Sequence, residues 1–387
     1  MKALIPGILL LVCGCGSEVD TDVSHLIQQS NQAFQERDYH SALALADSAL
    51  VLNKNSSDAH FMRGRIYFEL QQWENAETAY LAVINLTPDY RGVRHNLGNI
   101  YFGQRQFQNA LNEFIQATQN HPTPMSWHAT GGAYNALGQP DRAAVAFRKA
   151  IELDSLYGPA HSSLADLHEQ QGNYFESLKR NEIALNLQPN HFPNQLRQAR
   201  LLLRLDQIDK TVALVRHLIT EHPYHAEPRH ILGQALARLG LSAESSRLTT
   251  EAESLRVIIQ KEGQLANVVE NQPTNFQAQI HYATALRRSG NLEKAMTRYL
   301  IAQALRPDNV DLQFHIATLE IDLDDLERAE ERLTRILNAD SNYVLAWLGL
   351  GQIYTKTDRL TLAENAVKQA VQLNPDHPAI RQFLEQP

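Results

Sequence analysis

The stretch SDAHFMRGRIYFELQQWENAETAYLAVINLTPDY, residues 57–90, decides how this chain folds. It holds two amphipathic runs. Gly64 and Tyr67 stand three apart in the first, and Ala76, Tyr80 and Val83 recur at steps of four and three in the second, which is helical spacing. Gly64 and Ala76 have almost no side chain, so two antiparallel helices can approach closely where they cross. Tyr67 and Tyr80 are large and fill the wedge beside that contact. Pro88 has no N–H and disfavours helix in the residue before it, so the second run stops there. One such pair of helices cannot bury its apolar face alone and must be stacked on others.

The order small, aromatic, small, aromatic, proline resembles the tetratricopeptide repeat, a helix–turn–helix of about 34 residues. Laid against that frame, repeats begin at Val23, Ser57, Arg91, Pro124, Gly158, Phe192, Ala226, Phe276, Val310 and Val344. The resemblance implies an all-α fold, a superhelical solenoid of about ten repeats. Gly98, Tyr101, Ala110, Phe114 and Pro122 carry it in the third repeat, and Gly131, Tyr134, Ala143 and Phe147 in the fourth. The first repeat is degenerate, with Ser30 at the small site and Lys54 in place of proline. The sixth has Leu202 and Val215 where aromatic residues are usual.

The phase fails once. Phe276 lies 50 residues after Ala226, 16 more than one unit. Leu248, Ala252, Leu255, Ile259, Leu265 and Val269 keep helical spacing through the excess. Gly263 costs a helix about 1 kcal/mol and marks the expected break. Two readings stay open: an overlong second helix bent near Gly263, or an inserted surface helix that leaves the stack unbroken. The expected layout is repeats one to seven over 23–257, a connector over 258–275, repeats eight to ten over 276–377 and a capping segment over 378–387.

The first residues read differently. Met1-Lys2 is a short positive start, and the apolar run after it, residues 3–12, is too short for a membrane-spanning helix. Val12-Cys13-Gly14-Cys15 resembles the lipobox of bacterial lipoproteins. The resemblance implies a signal peptide over 1–14 and, over 15–22, a lipid-bearing Cys15 and a polar tether whose seven residues 16–22 span roughly 25 Å when extended. It also implies the bacterial cell envelope. Gly16, where an Asp would retain the protein in the inner membrane, implies the outer membrane facing the periplasm. An ordinary secretory signal with two incidental cysteines is the competing reading. Cys13 and Cys15 are the only cysteines, so the body carries no thiol, as suits an oxidising compartment.

Composition excludes more than it selects. The net charge of −8 in 387 residues argues against general nucleic-acid binding, which wants a basic surface. His168-Glu169 begins like a zinc-protease motif, but Gly172 stands where the second histidine should be. Gly349 and Gly351 before Lys356-Thr357 do not have phosphate-loop spacing. Asp322, Asp324 and Asp325 lack the glycine and closing glutamate of a calcium loop. His217, His222, His225 and His230 are the densest of sixteen histidines but fit no zinc framework. No catalytic residue, cofactor or metal site is expected, and the chain is not expected to be an enzyme.

In the tetratricopeptide family, first helices line the surface that grips ligands, at positions two, five, nine and twelve of each repeat. In repeats two to four those columns present Phe61, Phe68, His95, Asn99, Phe102, Met125, His128 and Asn135, which points to a peptide-binding patch. The alternative is that the rings pack on neighbouring helices. In repeats six to eight the columns and their neighbours present Arg200, Arg204, His230, Gln234, Arg238, Arg287 and Arg288. This is a local basic cluster suited to an acidic partner segment, unless its charges are paired with nearby Glu. The expected function is a non-catalytic scaffold that recruits or assembles envelope proteins, similar to bacterial tetratricopeptide lipoproteins. The alternative is an accessory subunit of an envelope enzyme or transport system that senses a glycan, lipid or metal.

Overall fold

A computed structural model describes residues 15–384, with side chains from 21 to 381. The signal-peptide expectation over 1–14 therefore lies outside the described residues. So do the lipid-bearing side chain of Cys15 and the last three residues of the capping segment. The described residues form 21 helices and no strand. By packing they fall into two units, one ending at Leu205 and one beginning at Asp206.

The first unit contains α1 (Cys15–Gln35), α2 (Tyr39–Leu52), α3 (Ser57–Glu69), α4 (Trp73–Leu86), α5 (Val93–Gly103) and α6 (Phe107–Asn120). It continues through α7 (Pro124–Ala136), α8 (Pro140–Leu153), α9 (Gly158–Gln170), α10 (Tyr174–Leu187) and α11 (Phe192–Arg204). Successive helices pair and then pass to the next pair. The crossing contact is the one that small-against-large spacing requires. A Cβ placed on Gly64, Gly98 or Gly131 would stand 2.4, 2.5 and 2.5 Å from the rings of Tyr80, Phe114 and Phe147. Tyr80, Phe114 and Phe147 are buried, as are the matching small residues Ala76, Ala110 and Ala143.

Residues 16–22 correct the extended tether. They are the first two turns of α1, which runs unbroken to Gln35. Residues 17–35 contain neither Gly nor Pro, and extending an existing helix upstream avoids the cost of a new nucleus. At about 1.5 Å per residue, seven helical residues reach roughly 10 Å, less than half the extended span.

The second unit contains α12 (Ile208–Glu221), α13 (Ala226–Arg238), α14 (Ser242–Asn271), α15 (Phe276–Arg288) and α16 (Leu292–Leu305). It ends with α17 (Val310–Asp322), α18 (Leu326–Ala339), α19 (Val344–Lys356), α20 (Leu360–Leu373) and the short α21 (Pro378–Leu384). Its core is built around Tyr299 against Ala283, Leu286 and Ala295, and around Leu333 against Ala317, Ala329 and Leu350. The break expected at Gly263 is absent, and α14 is one helix of 30 residues. Gly263 faces open space. Its local cost of about 1 kcal/mol does not stop a helix whose next turns bury Val269.

Each first helix ends the same way. In α3 the N–H of Gln71 donates to the Phe68 carbonyl and that of Gln72 to the Tyr67 carbonyl, at 3.0 and 2.8 Å. This Schellman closure puts one residue in the left-handed region. Four turns supply glycine there, Gly138, Gly172, Gly240 and Gly290, while Arg37, Gln71, Arg105, Asp206, Asp324 and Asp358 hold φ between 57° and 63°.

Candidate peptide-binding face

The sequence columns converge on one hollow in the first unit. His95, Asn99 and Phe102 project from α5, and Met125, His128, Ala129 and Gly132 from α7. Phe114 of the second helix α6 completes a pocket of about 280 Å³. A second hollow of about 190 Å³ opens beside it between α5 and α7, and His95 and Met125 border both. Helical spacing explains the grouping. His95, Asn99 and Phe102 are four and three apart, as are Met125, Ala129 and Gly132, so each set forms one stripe.

The pocket is uncharged. Burial holds the His95 imidazole below its ordinary pKa, and its Nδ1 is buried without a partner. Burial, and then the neighbouring His95, push His128 down to about 4. The His128 Nε2 lies 2.9 Å from the Ser163 hydroxyl, and its ring packs 5.4 Å from Phe147 and 5.6 Å from Tyr157. The His95 ring lies 5.6 Å from Phe114. Both rings are therefore neutral aromatic walls at pH 7. Phe102 and Met125 are exposed at the rim, 37% and 53%. The Asn99 side-chain amide has no hydrogen-bond partner among the described residues, which leaves it for a peptide group. Such a trough takes an extended segment with apolar side chains and no charge at its centre.

Other expected residues do not join it. Phe61 does not line this pocket: its ring lies 4.9 Å from Tyr90 and 5.8 Å from Tyr80, and, half-buried, it borders a separate hollow with Asn31, Arg65 and Tyr90. Phe68 packs 5.3 Å edge-to-face on Trp73, as Phe102 does at 5.2 Å on Phe107, but it is half-buried and outside the pocket lining. Asn135 lies on α7, half-buried, outside the pocket lining.

Most of the basic cluster is paired, the alternative that its sequence left open. In the first unit Arg200 pairs with Glu169 at 3.1 Å, and Arg197 reaches both Asp166 and Glu169. Arg204 lies over the Tyr174 ring at 5.9 Å. In the second unit Arg238 pairs with Asp206 at 3.1 Å, Arg287 with Asp322, and His230 bonds Gln234 at 2.9 Å. The acids come from an adjacent repeat, 31 to 35 residues away. A search of columns for basic residues alone does not see them. Arg288 has no ion pair among the described residues. His222 and His225 bring their rings to 5.8 Å, but among the described residues no group of three His, Cys, Asp or Glu is placed to hold a metal.

Sequence reasoning missed Phe114, Ala129 and Gly132 as pocket residues. Phe114 had been assigned to the helix crossing, and it serves both purposes. Gly132 left a signal, because the repeat frame needs only Gly131 of the Gly131-Gly132 pair. A Cβ at Gly132 would meet nothing within 4 Å. Its lack of a side chain keeps the pocket open.

Paired helices stacked within each unit define a tetratricopeptide-repeat protein, a class that mediates protein–protein interaction. More narrowly, residues 22–271, over half the chain, match the family of the cilia and flagella-associated protein 70 C-terminal domain, and the chain belongs to that family. Residues 320–386 match a general tetratricopeptide-repeat family. Tetratricopeptide repeat protein 37 of Xenopus laevis is 21% identical over 336 residues, which are 81% of this chain but 20% of that protein. The chain thus spans about a fifth of that relative's length. Among solved structures, Pseudomonas aeruginosa PilF has a TM-score of 0.51 at 18% identity, covering 55% of this chain and 97% of that one. PilW, described as a widely conserved type IV pilus biogenesis factor, has a TM-score of 0.50 at 17% identity, covering 54% and 98%. At these identities the likeness is one of fold.

Proposed function

We propose that this protein is a non-catalytic scaffold that grips an uncharged, partly apolar segment of a partner protein in the trough between α5 and α7. The observation that carries this reading is the pocket itself: open at Gly132, walled by two neutral histidines and rimmed by exposed Phe102 and Met125. Because Arg200, Arg238 and Arg287 of the basic cluster are already ion-paired, the uncharged pocket is the favoured seat over an acidic-segment site there. Capture should change less than about threefold when salt rises from low to high, since screening acts on charges and the pocket at His95, Asn99 and Phe102 has none in its lining.

The scaffold works, in this proposal, at a bacterial envelope surface, held by a lipid on Cys15. Support comes from the Val12-Cys13-Gly14-Cys15 motif and the thiol-free body. No helix of the described residues is long and apolar enough to cross a membrane. A second reading keeps the scaffold without the lipid, and it is favoured by the match to a ciliary and flagellar protein family. Palmitate labelling of the wild type, lost in Cys15→Ala together with membrane fractionation, supports the first reading; an unlabelled wild type supports the second.

The trough is tested by placing a photo-crosslinking amino acid at Met125 and, as a control, at exposed Val145 on α8. A partner crosslinked from Met125 and absent from Val145 is the expected result. Equal yields from both positions would refute the assignment.

A further inference from the structure

The length of α14 has a structural consequence beyond the trough. In most other repeats a second helix opens 18 residues before the first helix that follows it: Pro140 before Gly158, Tyr174 before Phe192, Leu292 before Val310, Leu326 before Val344. The same step back from Phe276 lands on Ile258, in the middle of α14. The second half of α14 thus stands as the second helix of a repeat in front of α15. Its own first helix is missing. The residues that would supply it begin one repeat length of about 34 before Phe276, at Ser242. These are already committed as the partner of α13: the Ser245 hydroxyl donates to the Gly233 carbonyl at 2.8 Å, and Arg229 pairs with Glu251 at 3.3 Å.

A vacancy remains where that first helix would pack. It is a cleft of about 290 Å³, with Ile258, Lys261 and Leu265 of α14 on one side and Ile280, Ala285 and Arg288 of α15 on the other. The α14 wall is held in place at its middle by Glu262, whose carboxylate accepts hydrogen bonds from the Ser289 hydroxyl and the Asn291 amide. Ile258 and Leu265 stay partly exposed over a floor that mixes Ile280 and Ala285 with polar Gln277, His281, Thr284 and His315. The flanking charges are of one sign. Lys261 and Arg288 are exposed, and neither has an ion pair among the described residues, whereas the nearby carboxylates of Glu262 and Asp322 are engaged.

We infer that this cleft receives an amphipathic helix from a partner protein, one with small apolar residues on its buried face and carboxylates on its flanks, which completes the unpaired repeat. The occupant follows from two features. The vacancy has the place and neighbours of a first helix in this fold, and its two unpaired cations demand negative charge from whatever fills it. The cleft admits two or three apolar side chains, so the contact is a seat for one or two helical turns rather than a buried core.

The probe is a fluorescent, hydrocarbon-stapled helix of fourteen or so residues (four turns). It carries alanine and leucine on one face and glutamate on both flanks; a twin carries lysine for glutamate. Titrated against the full chain by anisotropy, the glutamate helix should bind at least tenfold more tightly than its twin. Reversing both cations, Lys261→Glu with Arg288→Glu, should invert that preference without lowering the melting temperature, because both side chains are exposed. Gly132→Leu in the trough of the first unit should leave it unchanged, which separates this site from the one proposed above. Equal binding of the two helices, no binding of either, or a preference that survives the double reversal would each overturn the inference. So would a dimer of the chain that Lys261→Glu dissolves, since a second copy would then be the occupant.

Discussion

Gly131 and Gly132 are adjacent on α7, yet they serve opposite ends. At Gly131 a Cβ would press into the Phe147 ring at 2.5 Å, so Gly131→Ala should cost roughly 1–3 kcal/mol of stability. At Gly132 the space is open, and Gly132→Ala should stabilise the helix by about 1 kcal/mol through propensity alone. Urea titration of both variants should show shifts of opposite sign; shifts of the same sign would mean that the helix is rotated from the position described. His128 provides a second test at this scale. Burial lowers its folded pKa to about 4, below the unfolded value near 6.5. Above pH 6.5 both states are neutral there and the histidine contributes no pH dependence. As pH falls from 6.5 to about 4 the unfolded chain takes up a proton that the folded chain refuses, so stability falls, by an amount of order 3 kcal/mol, and below 4 the loss levels off. Comparing stability at pH 7 and pH 4.5 in wild type and His128→Gln measures it: the variant should lose less.

At the scale of elements, the first helices of later repeats open at the residues that the repeat spacing indicates: Pro124, Gly158, Phe192, Ala226, Phe276, Val310 and Val344. These starts were legible because small and large residues alternate at fixed steps and each proline or polar turn stops a helix locally. The continuity of α14 was not legible. A glycine signals a break by a local penalty, but the burial that outweighs it comes from α15, which a linear reading does not place alongside. Two substitutions test the backbone account. Gly263→Ala should stabilise α14 by about 1 kcal/mol, because the position is helical and open; a loss would indicate a break there after all. Arg105→Gly, at φ 61°, should also stabilise, by about 0.5–1 kcal/mol. Relief of left-handed strain exceeds the extra freedom glycine gives the unfolded chain. Guanidinium unfolding would show either effect.

For the molecule as a whole, the sequence discloses a stack of helix pairs and the stripe from which His95, Asn99, Phe102, Met125 and His128 reach a common hollow. It did not disclose that Phe61 and Phe68 lie outside that hollow, against Tyr90 and Trp73, because reading first-helix columns leaves out those two rings. Nor did it disclose that Arg200, Arg238 and Arg287 are paired, because Glu169, Asp206 and Asp322 belong to neighbouring repeats. Contacts between repeats, not within them, are what a one-dimensional reading loses. They also shift the binding account from a basic surface to a neutral trough. The most direct test of that account is crosslinking from Met125 in a Gly132→Leu background, with the melting temperature followed in parallel. The leucine should fill the pocket, so the crosslinked partner should disappear while the melting temperature holds or rises. An undiminished crosslink in a fully folded Gly132→Leu protein would contradict the claim that partners are held between α5 and α7.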